Sequence, residues 1–346
     1  MERIKPIKIH TRGTTPIIEK LTSAEVGKLW AVYMGNSMAQ YVLMYYLKHI
    51  EDQEIKIILE NALNLSQEIM QSIKGIFIQE NFPIPIGFTE EDVNLGAPRL
   101  FSDEYYLHYL RYAGKAGISI YSTAIPLMTR GDIRDLFIYC LNSAVKLLTD
   151  VSNALMKKGI LMKTPPIPTP DKVDFVKKQD YLNGFLGNVR PLHGLEIAHL
   201  YDNIENDVAS KVLLIGFSQG ANNDKVRQFF IRGKEITDKH IEVCSQKLHK
   251  DNLPAPTLLD HLVSASTFSP FSDKLMLFHK IDMFSMKIRS YANAMSLNGR
   301  RDIGFMYGRF LMDIGLYVEG GAQILINQGW MEQPPEAIDR DSLTSK

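Results

Sequence analysis

Apolar residues along this chain recur at helical rather than strand spacing. Val226, Phe229, Phe230, Gly233, Ile236 and His240 fall on one stripe of a single predicted helix. Reading the chain this way predicts four helices at roughly 22–50, 53–80, 102–127 and 130–158. It predicts four more at roughly 193–219, 223–250, 272–297 and 300–328. Breakers separate them. Glu51-Asp52-Gln53 interrupts the first group where Gly220-Ala221-Asn222-Asn223 interrupts the second. Pro83 and Pro85 end one helix, and Pro254 and Pro256 end another. Ser102-Asp103 and Ser272-Asp273 are good amino-terminal caps. Strand signals are sparse.

The two groups are diverged copies of one unit. Glu25–Pro85 reappears without a gap as Glu196–Pro256, displaced by 171 residues. Leu29 matches Leu200, Leu43 matches Leu214, and Asn81–Pro85 matches Asn252–Pro256. Further on the displacement is 170. Phe101-Ser102-Asp103 matches Phe271-Ser272-Asp273, and Arg130 with Asp132 matches Arg300 with Asp302. Four helices per copy, with the longer connection between the second and third, predict an all-α protein of two tandem ferritin-like four-helix bundles. The expected organisation is an arm over 1–20, broken by Pro6, Gly13 and Pro16, then a bundle over 21–164. A proline-rich connection over 165–191 joins it to a second bundle over 192–335, and a polar tail covers 336–346. Phe175, Tyr181, Leu182 and Phe185 in the connection predict that it packs across both bundles.

Composition narrows the partners. Of 346 residues, 45% are hydrophobic, enough for a core in each copy. Lysine plus arginine equals aspartate plus glutamate at 39 each, which gives nucleic acid or an anionic membrane no electrostatic handle. No signal peptide and no membrane-spanning run are expected, which points to the cytoplasm. Cys140 and Cys244 lie among apolar neighbours and are expected as buried thiols, not a disulfide.

Several segments resemble a duplicated, uncharacterised family of spore-forming Firmicutes, the DUF3231 type, related to coat-F type spore coat proteins. They are Pro83–Val93, Ala97–Asp103, Pro270–Leu275 and Gly329–Pro335. The resemblance implies a pair of ferritin-like bundles and a role in sporulation, the forespore or the coat. It implies no reaction.

Three constellations carry candidate chemistry. Gly216-Phe217-Ser218-Gln219-Gly220 fits a nucleophile elbow, with Asp224 and His240 or Asp260 and His279 as nominal partners. Copy one has Tyr45–His49 at the matching place, inside a helix, which disfavours a serine hydrolase. The second constellation is Glu196, His199, His240, His279 and Asp282 in the second bundle, read either as a buried polar network with each histidine satisfied by a hydrogen bond or as a divalent metal site (iron, manganese or zinc). Asn203 and Asp313 stand nearby, and Glu235 lies opposite the apolar stripe. Copy one has Lys28, Ile69 and Tyr109 where copy two has His199, His240 and His279, so any such site belongs to copy two alone. The third is Arg130/Asp132 and Arg300/Arg301/Asp302, whose arginines are expected to pair with Asp103 and Asp273 and fix a turn. Tyr105–Tyr112 predicts either core and a helix seam or a contact surface for another subunit. Met276, Met283, Met286, Met295, Met306 and Met312 predict adaptable core filling. The leading functional expectation is a non-catalytic structural or interaction protein with protein partners or self-association. The alternative is a metal-binding or redox protein.

Overall fold

The computed structural model describes residues 19–344. The predicted arm therefore lies almost wholly outside the described residues. Eight long helices form two four-helix bundles. They are α1 (Ser23–His49), α2 (Gln53–Gln79), α3 (Asp103–Ala124), α4 (Gly131–Lys157), α5 (Gly194–Gly220), α6 (Asp224–Lys250), α7 (Asp273–Leu297) and α8 (Arg301–Asn327). A short α9 (Arg340–Thr344) follows. In each bundle the first helix packs on the second and the third on the fourth.

Local chemistry sets the helix ends. Thr22 and Glu25 form a reciprocal capping box on α1, and His193 with Glu196 forms one on α5. Asp52 and Asn223 cap α2 and α6 by accepting from two N–H groups each. At the carboxyl ends, Asn81 (φ 52°) and Asn252 (φ 58°) adopt the left-handed conformation at matching places. The following N–H groups then reach back, Phe82 to the Phe77 carbonyl at 2.8 Å and Leu253 to Leu248 at 3.0 Å. Gly159 and Gly329 close α4 and α8 in the same way.

The connections between the second and third helices clasp the two halves together. The Asn94 N–H donates to the Pro270 carbonyl, and the Ser264 N–H to Leu100, both at 2.8 Å. The Ser102 N–H donates to Leu262, and the Ser272 N–H to Asp92, both at 3.0 Å. Val93 bridges Phe271, and Phe101 bridges Val263. Each contact has its mirror at the equivalent position of the other copy, so the halves meet as an isologous pair about an internal pseudo-twofold axis. The helices repeat the relation, with α1 against α7 and α3 against α5. One apolar core runs through both halves, and a second cluster around Leu29, Ile73, Phe77 and Phe137 fills the far end of the first bundle. The tyrosine run of α3 lies in the seam. Tyr105 donates to the Ala209 carbonyl and Tyr112 to that of Met283.

Four expectations need correction. The connection does not pack across both bundles: Phe175 is 79% exposed. Among the described residues, Tyr181, under the Arg190 guanidinium, and Phe185, edge-on to Phe305, are the ones in it that make ring contacts. Arg130 and Arg300 do not pair with Asp103 and Asp273. They bind Asp132 and Asp302 in their own first turns, and Arg130 also binds Glu80. Asp103 and Asp273 instead accept N–H bonds at the starts of α2 and α6. Among the methionines, Met295 and Met312 are exposed, because they lie on the outer faces of α7 and α8. Ser102 precedes α3 but makes no side-chain cap, its buried hydroxyl having no partner among the described residues, whereas Ser272 caps α7. The Gly216–Gly220 motif is helical to its last residue, and Ser218 turns its hydroxyl to the Ile215 carbonyl, so the disfavoured elbow geometry is not present.

Candidate functional site

Glu196, His199, His240, His279 and Asp282 do not converge. Glu196 is buried at the start of α5, where it binds Arg190 through both oxygens and accepts from the His193 and Gly299 N–H groups. Glu25 does the same work in copy one, accepting from the N–H groups of Thr22, Thr129 and Arg130. This pair therefore ties the first helix of each bundle to the start of the fourth. Burial alone raises the Glu25 carboxyl, but those hydrogen bonds outweigh it and hold it down to about 2. His199 is half-buried one turn further along α5.

His240 sits in the core of the second bundle, stacked on Phe310, with Nδ1 3.1 Å from the Tyr291 hydroxyl. Burial lowers it to about 4, so the ring is neutral near pH 7. Around it is a buried polar network. Lys287 lies 3.0 Å from one Asp207 oxygen and donates to Thr237 at 2.9 Å. Tyr291 donates to the other Asp207 oxygen at 2.7 Å. Asn203 reaches Tyr307. An ammonium, not an assembly of free donors, thus occupies the centre of this bundle. Among the described residues no group of three or more His, Cys, Asp or Glu side chains is placed to hold a metal ion. Lysines at 280 and 287 and the acid at 207 carry this core, and sequence reasoning missed all three. Their signal was charge within the apolar face of a helix, which is visible when the two copies are aligned.

His279 and Asp282 belong elsewhere. Both line a cavity of about 340 Å³ inside the first bundle, closed at one end by α7. Its walls come from α1 to α4 and are mostly small or apolar, among them Ala39, Leu65, Ala113, Gly117 and Leu147. Its polar end is His279, Asp282 and Arg289. His279 Nε2 is 2.9 Å from the Tyr109 hydroxyl, while its buried Nδ1 has no hydrogen-bond partner. Burial lowers this ring to about 3. Arg289 Nε is likewise buried without a partner. Burial raises the Asp282 carboxyl, opposed by the Arg289 charge.

Comparing the copies shows how the first bundle comes to hold a cavity. α5 packs on α7, whereas α1 and α3 stand apart. Gly114 and Gly117 of α3 occupy the places of Phe284 and Lys287 in α7, and Ala144 of α4 that of Ile314 in α8. Leu110 replaces Lys280, and Ile69 replaces His240. The side chains that fill the second core are missing from the first.

The architecture is that of a tandem-repeat, all-α protein of two four-helix bundles, the first of which holds a cavity. The chain belongs to the family described as "Protein of unknown function (DUF3231)", whose model matches twice, over residues 12–173 and 181–343. Among solved structures it is similar to a candidate spore coat protein from Bacillus halodurans C-125. They share 18% identity over 44% of this chain and 98% of that one, with a TM-score of 0.39. No curated protein matches the chain.

Proposed function

We propose that this is a non-catalytic structural or interaction protein that acts in association with the spore and assembles with a second copy of itself through α8. The observation that carries the reading is an exposed apolar stripe on that helix. Phe305, Met312 and Leu316 are 60%, 69% and 64% exposed. The equivalent residues of α4 are Asp135, Asn142 and Lys146, so the stripe belongs to one copy only and is not a property of the repeat. Exposed large apolar side chains grouped on one face mark contact surfaces. Arg309 and Glu319 are exposed on the same face. An antiparallel α8–α8 pair sets Arg309 of each copy against Glu319 of the other and Met312 against Leu316. That charge complementarity favours a second copy over an unrelated partner. Gly308 and Gly315, with open space beyond them, let the two helices approach closely.

Spore association rests on the coat-F resemblance of the loop segments. The ferritin-like relation rests on the long connection between second and third helices. Neither adds a reaction. No described helix is long and apolar enough to cross a membrane. Sedimentation velocity from 1 to 100 µM tests the assembly. A concentration-dependent dimer is expected, lost in Met312→Asp with Leu316→Asp at unchanged thermal stability. A monomer throughout that range overturns it. Immunodetection in fractionated cells and spores tests the location, and equal abundance in growing cells with none in spores overturns that part.

A further inference from the structure

We propose that the cavity of the first bundle is a binding site for a single-chain amphiphile with a carboxylate head group. The second bundle is the internal control. Equivalent helices enclose the matching space there, and Phe284, packed on Tyr317, and Lys287, held by Asp207, stand in it where the first bundle has Gly114 and Gly117. A hollow of about 340 Å³ lies within the range of ligand pockets, roughly 300–1,000 Å³. The bundle architecture does not dictate it, since the second bundle carries larger side chains at the matching places.

The walls and the closed end call for different parts of one molecule. Leu65, Ile69, Leu110 and Leu147 offer an apolar lining suited to a hydrocarbon chain. The end formed by α7 carries polar groups that the protein leaves unmatched. Arg289 Nε and His279 Nδ1 are buried without partners, and His279 as a whole is 2% exposed. Asp282 makes no hydrogen bond or ion pair through its carboxyl with any described residue beyond the field of Arg289. Unsatisfied buried polar atoms cost roughly 1–3 kcal/mol each, so a ligand that satisfies them gains affinity.

The sign of the head group follows from the lining charges. Arg289 and Lys28 are cations, and Asp282 is the single acid. Burial favours the protonated form of that acid, which can donate its O–H to a carboxylate while Arg289, whose terminal nitrogens reach Ser285 and Met286, donates its unpartnered Nε–H. An ammonium head would instead face Arg289. Ala31, exposed on α1, edges the cavity and leaves an entrance from solvent.

Isothermal titration of the full-length, delipidated protein with lauric acid below its micellar range tests this, beside dodecylamine and dodecanol. Saturable 1:1 binding of lauric acid is expected, at least tenfold tighter than either control. Arg289→Met should weaken it at least tenfold. Ala113→Met with Ala116→Met installs the residues of the second bundle, and should abolish binding while raising the melting temperature. Met312→Asp on the far bundle should leave binding unchanged, which separates this site from the assembly face. No saturable binding of lauric acid, tighter binding of dodecylamine, or affinity unchanged in both cavity variants while each remains folded overturns the proposal.

Discussion

Lys280 should destabilise the fold it is buried in. Its side chain is fully inaccessible, and its ammonium donates to the Ser210 carbonyl at 3.0 Å and to the Ser210 hydroxyl at 2.8 Å. It has no carboxylate of its own, because Asp207 is already held by Lys287 and Tyr291. Desolving an ion of this kind costs several kcal/mol after relaxation. Two hydrogen bonds from a charged donor return about 1.5–3 kcal/mol each, and the Phe284 ring, 5.4 Å away, adds about 0.5–1 kcal/mol. The charged form is then close to balanced at best, and burial favours release of its proton, which forfeits the charge-assisted part of those bonds. Lys280→Leu removes it and installs the residue that copy one carries, Leu110. A buried leucine contributes about 1.5–3 kcal/mol by burial, less the cost of freeing the Ser210 hydroxyl. The net expectation is a gain of about 2 kcal/mol at pH 7.

The pH dependence gives a sharper test. Burial, reinforced by the Lys287 charge, holds Lys280 well below the ordinary lysine range. Unfolded chain keeps its proton up to about pH 10.4. Wherever the folded protein has released a proton that the unfolded chain retains, stability rises with pH, by at most about 1.4 kcal/mol per unit. The wild type therefore gains on the variant as pH rises toward 10, and the advantage of Lys280→Leu shrinks. Urea denaturation at pH 6, 7.5 and 9 measures both curves. A variant less stable than wild type by the same amount at every pH would refute the reasoning, because it would make the ammonium a net structural tie.

Three other outcomes follow from the same geometry. Asp207→Ala should cost about 3–5 kcal/mol by leaving Lys287 uncompensated. Asp207→Asn with Lys287→Met should cost far less, and a double-mutant cycle by chemical denaturation reads the coupling, with simple additivity contradicting it. Glu25→Gln should lose about 2 kcal/mol at pH 7 by weakening the tie between α1 and α4. The Glu25 carboxyl is held down to about 2, so its contribution is complete above the ordinary carboxylate range and fades as pH falls from about 4.5 toward 2. Equal losses at pH 7 and pH 2.5 would contradict this. Limited proteolysis of the exposed connection around Val173–Val176 should give two fragments that co-elute on gel filtration, since the halves share one core, and separate elution would contradict that.

Helix existence and ends were legible in the sequence because their causes are local. The Ser272 cap and the stops before Pro83 and Pro254 act within a few residues of where they stand, and Asp52 and Asn223, read as breakers, cap α2 and α6. The exposed connection was misread because apolar residues were taken as evidence of packing, whereas Phe175 has no groove to enter. The interior of the second bundle was legible only in part: a buried polar network was expected around its histidines, but the charges at its centre were not. Lys280 and Lys287 look like solvent-facing residues until Asp207, more than seventy positions away, is folded beside them. The cavity leaves the faintest trace, since it is made by side chains that are absent. Its only signal is a comparison between copies, small residues on α3 against large ones on α7, and nothing within copy one flags it.

The clasp between the halves explains how their interiors could diverge. Four of its hydrogen bonds run from backbone to backbone, at Asn94, Ser102, Ser264 and Ser272, and the Ser264 and Ser272 hydroxyls add bonds to the Arg99 carbonyl and the Asp92 carboxylate. Backbone groups are indifferent to side-chain identity, so substitutions inside a bundle leave them in place. What the clasp asks of the sequence is a valine and a phenylalanine at Val93 and Phe101, repeated at Val263 and Phe271. Those residues persist in both copies, as do Glu25 and Glu196, while nearly every polar core residue differs. The joint and the corner ties are held in common, and the helix interiors are free to change. A first bundle that shares one continuous core with the second can then tolerate the lost burial at Gly114 and Gly117, which an isolated four-helix bundle of this size would carry alone.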